Sequence, residues 1–86
     1  MTWMTSREWL SKLVSFDTTS RNSNLELIEF VRDALVQLGV KAELFHSPAR
    51  DKANLFATLP GKDGATEGGI VLSGHTDVVP VDGQKW

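Results

Sequence analysis

The segment Ser73-Gly74-His75-Thr76-Asp77 carries the residue types best suited to chemistry in this chain, an imidazole and a carboxylate separated by one position. In extended backbone, residues two apart point to the same side, with Cα atoms about 6.6 Å apart at roughly 3.3 Å per residue. An imidazole and a carboxylate can close that gap. A metal-bound histidine uses one ring nitrogen on the metal and donates the N–H of the other to a carboxylate, which fixes its tautomer and orientation. The spacing therefore suits His75 as a metal ligand and Asp77 as the acid that orients it. It equally suits a structural histidine hydrogen-bonded near a strand end, and spacing alone leaves both readings open. Gly74 removes a side chain where a metal and substrate would approach, yet glycine after a strand is also ordinary turn punctuation.

A catalytic zinc typically takes three protein ligands and keeps one position open. This chain has 2 His, His46 and His75, and no Cys, so no complete site is evident. The lack of cysteine excludes disulfides, thiolate ligands and a cysteine nucleophile. His46, beside Ser47-Pro48-Ala49-Arg50, is expected in a solvated loop. Ser73, His75 and Asp77 crowd along one stretch and make no nucleophilic triad, which is defined by three-dimensional geometry. Asp82 is expected in a glycine-flanked turn, Trp86 in packing, and Arg50-Asp51-Lys52 in a solvated charged loop.

The elements that must position these residues follow from periodicity. Thr5 and Glu8 form a capping box, so a helix begins there and carries Trp9, Leu10, Leu13 and Val14 on one face. Asp17-Thr18-Thr19-Ser20 offers side chains that compete for backbone bonds, and ends that helix near Phe16. A second box, Ser23 with Glu26, opens the series Leu25, Ile28, Val31, Leu35 and Leu38, a core-facing stripe that Gly39 terminates. Beyond Gly39 the period changes to alternation at Val40, Ala42 and Leu44, predicting a half-buried strand. A second strand is expected over Asn54 to Leu59. Turn residues from Pro60 to Gly69 then separate it from a third, Ile70-Val71-Leu72. Links this short cannot hold a helical crossover, so neighbouring strands should run antiparallel. The fold class is α/β, with two helices and about three strands of a mixed sheet, and helix two packed on it. His75 follows the third strand, at the kind of strand end where ligands bind in open sheets.

Composition sets the outer limits. At 86 residues, with 41% hydrophobic and 23% charged residues and a formal charge of -2, the chain is an ordinary small soluble unit without the positive field that nucleic acid requires. It lacks the basic start and apolar stretch of a signal peptide and any run of about 20 apolar residues, so neither a membrane nor secretion is expected and cytoplasm is the default. Two helices and three strands leave open sheet edges, and the sequence stops in loop-like residues. A truncated chain or a fragment is the expectation.

The string Ile70-Val71-Leu72-Ser73-Gly74-His75-Thr76-Asp77-Val78-Val79-Pro80, followed by Asp82-Gly83 and Trp86, resembles the first metal-binding motif of the M20 family of zinc metallopeptidases and deacylases. Leu13-Val14-Ser15-Phe16-Asp17-Thr18-Thr19-Ser20 is similar to the opening of those enzymes, and Asn54-Leu55-Phe56-Ala57-Thr58-Leu59-Pro60-Gly61 to the strand before their motif. The resemblance implies that residues 1–86 are the N-terminal part of a catalytic domain, with the rest of that domain and a lid domain that mediates homodimerisation absent. It implies two zinc ions, with cobalt as an alternative, His75 as a ligand of one of them and Asp77 as the catalytic-site acid that orients it. The implied substrate is a small N-acyl amino acid, cleaved at its amide. The nearest branch, from residues 16–20 together with 79–84, releases acetate from an amino-acid precursor in arginine biosynthesis. Desuccinylase and carboxypeptidase branches share the His-x-Asp core. A self-contained noncatalytic module, binding a partner through helix two or a sheet edge, is the alternative from another class.

Overall fold

A computed structural model describes residues 3–85; Trp86, expected in packing, lies outside the described residues. Thr5 Oγ1 accepts the Glu8 N–H at 3.2 Å and Glu8 Oε1 accepts the Thr5 N–H at 2.9 Å. This reciprocal pairing satisfies two free donors and opens helix α1, Ser6–Val14, as the sequence requires. Only half of its expected apolar face is used. Trp9 and Leu13 are half-buried, whereas Leu10 and Val14 are exposed. The reason is the contact it makes with the second helix, α2, Leu25–Gln37. Phe30 of α2 takes the rings of Trp9 and Phe16, each at 5.6 Å between centroids, so α1 turns Trp9 and Leu13 inward and leaves Leu10 and Val14 to water.

The start of α2 departs from the expected box. Asn24 is the N-cap, Ser23 Oγ accepts the Leu25 N–H at 3.1 Å, and the Ser23–Glu26 pairing does not form. At its other end Gly39 adopts φ +77° and donates to Val36 O, while Val40 donates to Leu35 O, each at 2.9 Å. These two bonds are a Schellman motif, and they satisfy carbonyls the helix end would otherwise strand. The buried core is Leu27, Ile28 and Ala53, with Leu13, Phe16, Leu25, Val31, Leu44 and Leu55 packed against it. Leu27 lies outside the expected stripe but three residues from Phe30, on the flank that α1 covers. Leu38, at the far end, is exposed.

Strands β1, Ala42–His46, and β2, Ala53–Ala57, pair antiparallel with Leu44 opposite Leu55 and His46 opposite Ala53. Ala42, Leu44, His46, Ala53, Leu55 and Ala57 are buried or half-buried, and both strands pack on α2; Phe45 and Phe56 on the opposite face are exposed. The expected third strand does not form. Ile70, Val71 and Leu72 are 89%, 83% and 94% exposed and carry no ladder. Gly68 and Gly69 before them take φ +74° and +92°, left-handed turns that break any approach to the sheet. Among the described residues nothing pairs with this run, and a strand without a partner gains neither ladder bonds nor burial. The α/β class stands, with a two-stranded antiparallel sheet in place of a mixed one. Among the described residues the parallel pairing is a single bridge between Thr19 and Val78. No described helix is long and apolar enough to cross a membrane.

Candidate functional site

His75 follows irregular chain and not a strand, yet it meets Asp77 as the spacing predicts. Its Nδ1 lies 2.9 Å from Asp77 Oδ1 and 3.0 Å from the Asp77 carbonyl. An Nδ1–H donating to those oxygens leaves Nε2 as the nitrogen outside the pair, on a side chain that is 82% exposed. The second carboxylate oxygen, Oδ2, accepts the Ser20 hydroxyl at 2.9 Å. That bond, and after it the one from His75, holds the Asp77 carboxyl below the ordinary carboxylate range. Asp77 is thus ionised at neutral pH and able to accept on both oxygens.

The segment that carries the pair is held by the loop between the helices. Thr18 Oγ1 donates to Thr76 O at 2.6 Å, Ser20 N–H to Val78 O at 3.0 Å, and Val78 N–H to Thr18 O at 3.2 Å. Arg21 pairs with both oxygens of Asp82 at 3.1 and 3.2 Å, in the turn expected there. Both of those side chains are largely exposed, so this pair adds little by itself. Thr18 and Thr19 are buried, at 6% and 7% exposure, where the Thr19 N–H and hydroxyl both donate to Asp17 Oδ1. Residues 17–20, expected to end the first helix, thus close on themselves between Asp17 and Thr19 and also grip the segment around Val78 through the bridge at Thr19. Sequence reading missed Thr18, Ser20 and Asn24 as site residues, because a contact such as Ser20 to Asp77 spans 57 positions and leaves no local signal.

His46 is not in a loop. It ends β1, half-buried, because its pairing with Ala53 continues the ladder to that point. Together with Thr18, Asn24, Lys52, Thr76 and Asp77 it lines an open cleft of about 440 Å³. Lys52, expected to be solvated, is half-buried and donates through Nζ to Ser20 O. Among the described residues no group of three or more His, Asp or Glu side chains is gathered to hold a metal. The residues present thus fit one imidazole ligand and its carboxylate partner, and not a complete coordination sphere.

The chain is 42% identical over 73 residues to an acetylornithine deacetylase of Pasteurella multocida, a stretch that is 84% of this chain and 18% of that protein. It is 41% identical over 71 residues to the acetylornithine deacetylase of Proteus mirabilis, and 36% identical over 72 residues to that of Yersinia pseudotuberculosis, each covering 81% of this chain. This chain is a relative of the acetylornithine deacetylases. The agreement matches the M20 resemblance carried by His75, Asp77 and their neighbours. The chain spans less than a fifth of the length of these acetylornithine deacetylases. No family model matches it, and no solved structure does.

Proposed function

We propose that this chain is part of a zinc-dependent amide hydrolase that releases acetate from N-acetylornithine, a step of arginine biosynthesis, with His75 as a zinc ligand and Asp77 as the acid that orients it. The observation that supports this most is the 2.9 Å contact between His75 Nδ1 and Asp77 Oδ1, which leaves Nε2 for a metal. When bound, zinc supplies Lewis acidity, acidifying water and polarising the amide carbonyl. The chain's own part is to hold one imidazole in the ligating tautomer. Asp77 does so as an anion, and the loop at residues 17–24 fixes the segment on which both sit. On this reading the remaining ligands, the proton-transferring carboxylate and a homodimerising domain would have to come from outside these 86 residues, since no group of three or more metal-ligating side chains is gathered among the described ones.

The test compares His75→Ala with Asp77→Ala in protein carrying the full ligand set, by zinc content and acetate release from N-acetylornithine. Loss of an orienting partner lowers metal affinity or activity by about 10- to 100-fold, and loss of the ligand itself should cost more. Wild-type zinc content and rate in both variants would remove the assignment. Calorimetry on the 86-residue chain should show no tight zinc binding, since only part of a site is assembled.

A further inference from the structure

Residues 73–82 carry no helix or ladder of their own beyond the single bridge at Val78, so the placement of His75 and Asp77 must come from elsewhere. It comes from residues 18–24. Thr18 and the backbone of Ser20 hold the main chain at Thr76 and Val78, and Asn24 Nδ2 donates to Thr76 Oγ1 at 3.3 Å. Those contacts fix the track of the chain without touching the reacting side chains. The Ser20 hydroxyl alone in this loop reaches the Asp77 carboxylate, on the oxygen opposite the one that meets His75. Its single proton has two acceptors in range, Asp77 Oδ2 at 2.9 Å and Val78 O at 3.2 Å. The shorter contact is also the charge-assisted one, which makes it the stronger.

A carboxylate held through one oxygen swings freely, because the terminal torsion of aspartate is broad. Closing the second oxygen removes that freedom. We propose that Ser20 is a positioning residue, whose hydroxyl locks Asp77 so that Asp77 in turn holds His75 as the Nδ1–H tautomer with Nε2 free to bind a metal. The purpose of this lock rests on the zinc reading, while its geometry does not.

The experiment reads the tautomer directly, by two-bond ¹H–¹⁵N spectra of the chain labelled at histidine, above the pH range in which imidazoles ordinarily titrate. His46 serves as the internal reference. In the wild type His75 should be mainly Nδ1–H. Ser20→Ala should lower its ratio of Nδ1–H to Nε2–H by roughly threefold or more, the size expected of one net hydrogen bond. Ser20→Thr, which keeps the hydroxyl, should restore the ratio, and His46 should not change in either. If Ser20→Ala loses its dispersed amide spectrum, Ser20→Cys keeps the volume with a much weaker donor and should give the same fall. An unchanged ratio in the folded alanine or cysteine variant, or a threonine variant that behaves like alanine, would overturn the proposal. Failure of the zinc reading looks different: His75→Ala would keep its zinc in the full protein while the tautomer still responded to Ser20.

Discussion

Replacing Asn24 with Ala removes a side chain that stands in for a strand. Ser47 N–H donates to Lys52 O at 2.8 Å across the loop, so the next pair inward, His46 with Ala53, is one whose backbone groups point away from each other. The N–H and C=O of Ala53 therefore face the free edge of β2. Asn24 meets both, accepting the N–H on Oδ1 at 2.9 Å and donating from Nδ2 to the carbonyl at 3.0 Å. Ala53 is 4% exposed, so these groups have little access to water once the amide is gone. At about 1 kcal/mol for each abandoned group, Asn24→Ala costs about 2 kcal/mol. No helix cap is lost with it, since the Asn24 side chain makes no capping bond to α2. With a slope of about 1 kcal/mol/M for a small domain, the urea midpoint should fall by about 2 M. Circular dichroism at 222 nm, followed through a urea titration, reads that shift. A change below about 0.5 M at equal slope would show that Ala53 finds other partners and that the strand-edge role is wrong.

Gly39→Ala forces a side chain into φ +77° with nothing within 4 Å of its Cβ, so the penalty is backbone strain alone, about 1 kcal/mol; chemical denaturation checks it. Acid should destabilise the chain through Asp17 and Asp77. Both are held below the ordinary aspartate range, Asp17 mainly by the Thr19 hydroxyl and Asp77 mainly by Ser20. With folded values below the unfolded one, near about 3.9, the unfolded chain binds more protons in that window. The stabilisation is therefore complete above the unfolded value and is lost as pH falls through the lowered folded ones. Melting temperature measured from pH 7 downward should drop below about pH 4, and less steeply in Asp17→Asn.

The sequence alone determined whatever rests on neighbours in the chain. Thr5 and Glu8 start α1, Gly39 stops α2, and alternation at Ala42 and Leu44 makes a strand, because caps, left-handed turns and period are properties of a few consecutive residues. The closeness of His75 and Asp77 is of that kind too, since residues two apart share a side. Tertiary structure decided the rest. The apolar run Ile70-Val71-Leu72 has a strand's composition and no strand's partner, and a ladder is a relation between segments that no single segment contains. Asn24 gave up its own helix start for the edge of β2, His46 became the last rung of β1, and Ser20 found Asp77 across 57 residues. Each of these partners is chosen by how the loop between the helices packs against the sheet and the final segment, and a contact made by packing leaves no spacing in the sequence to read.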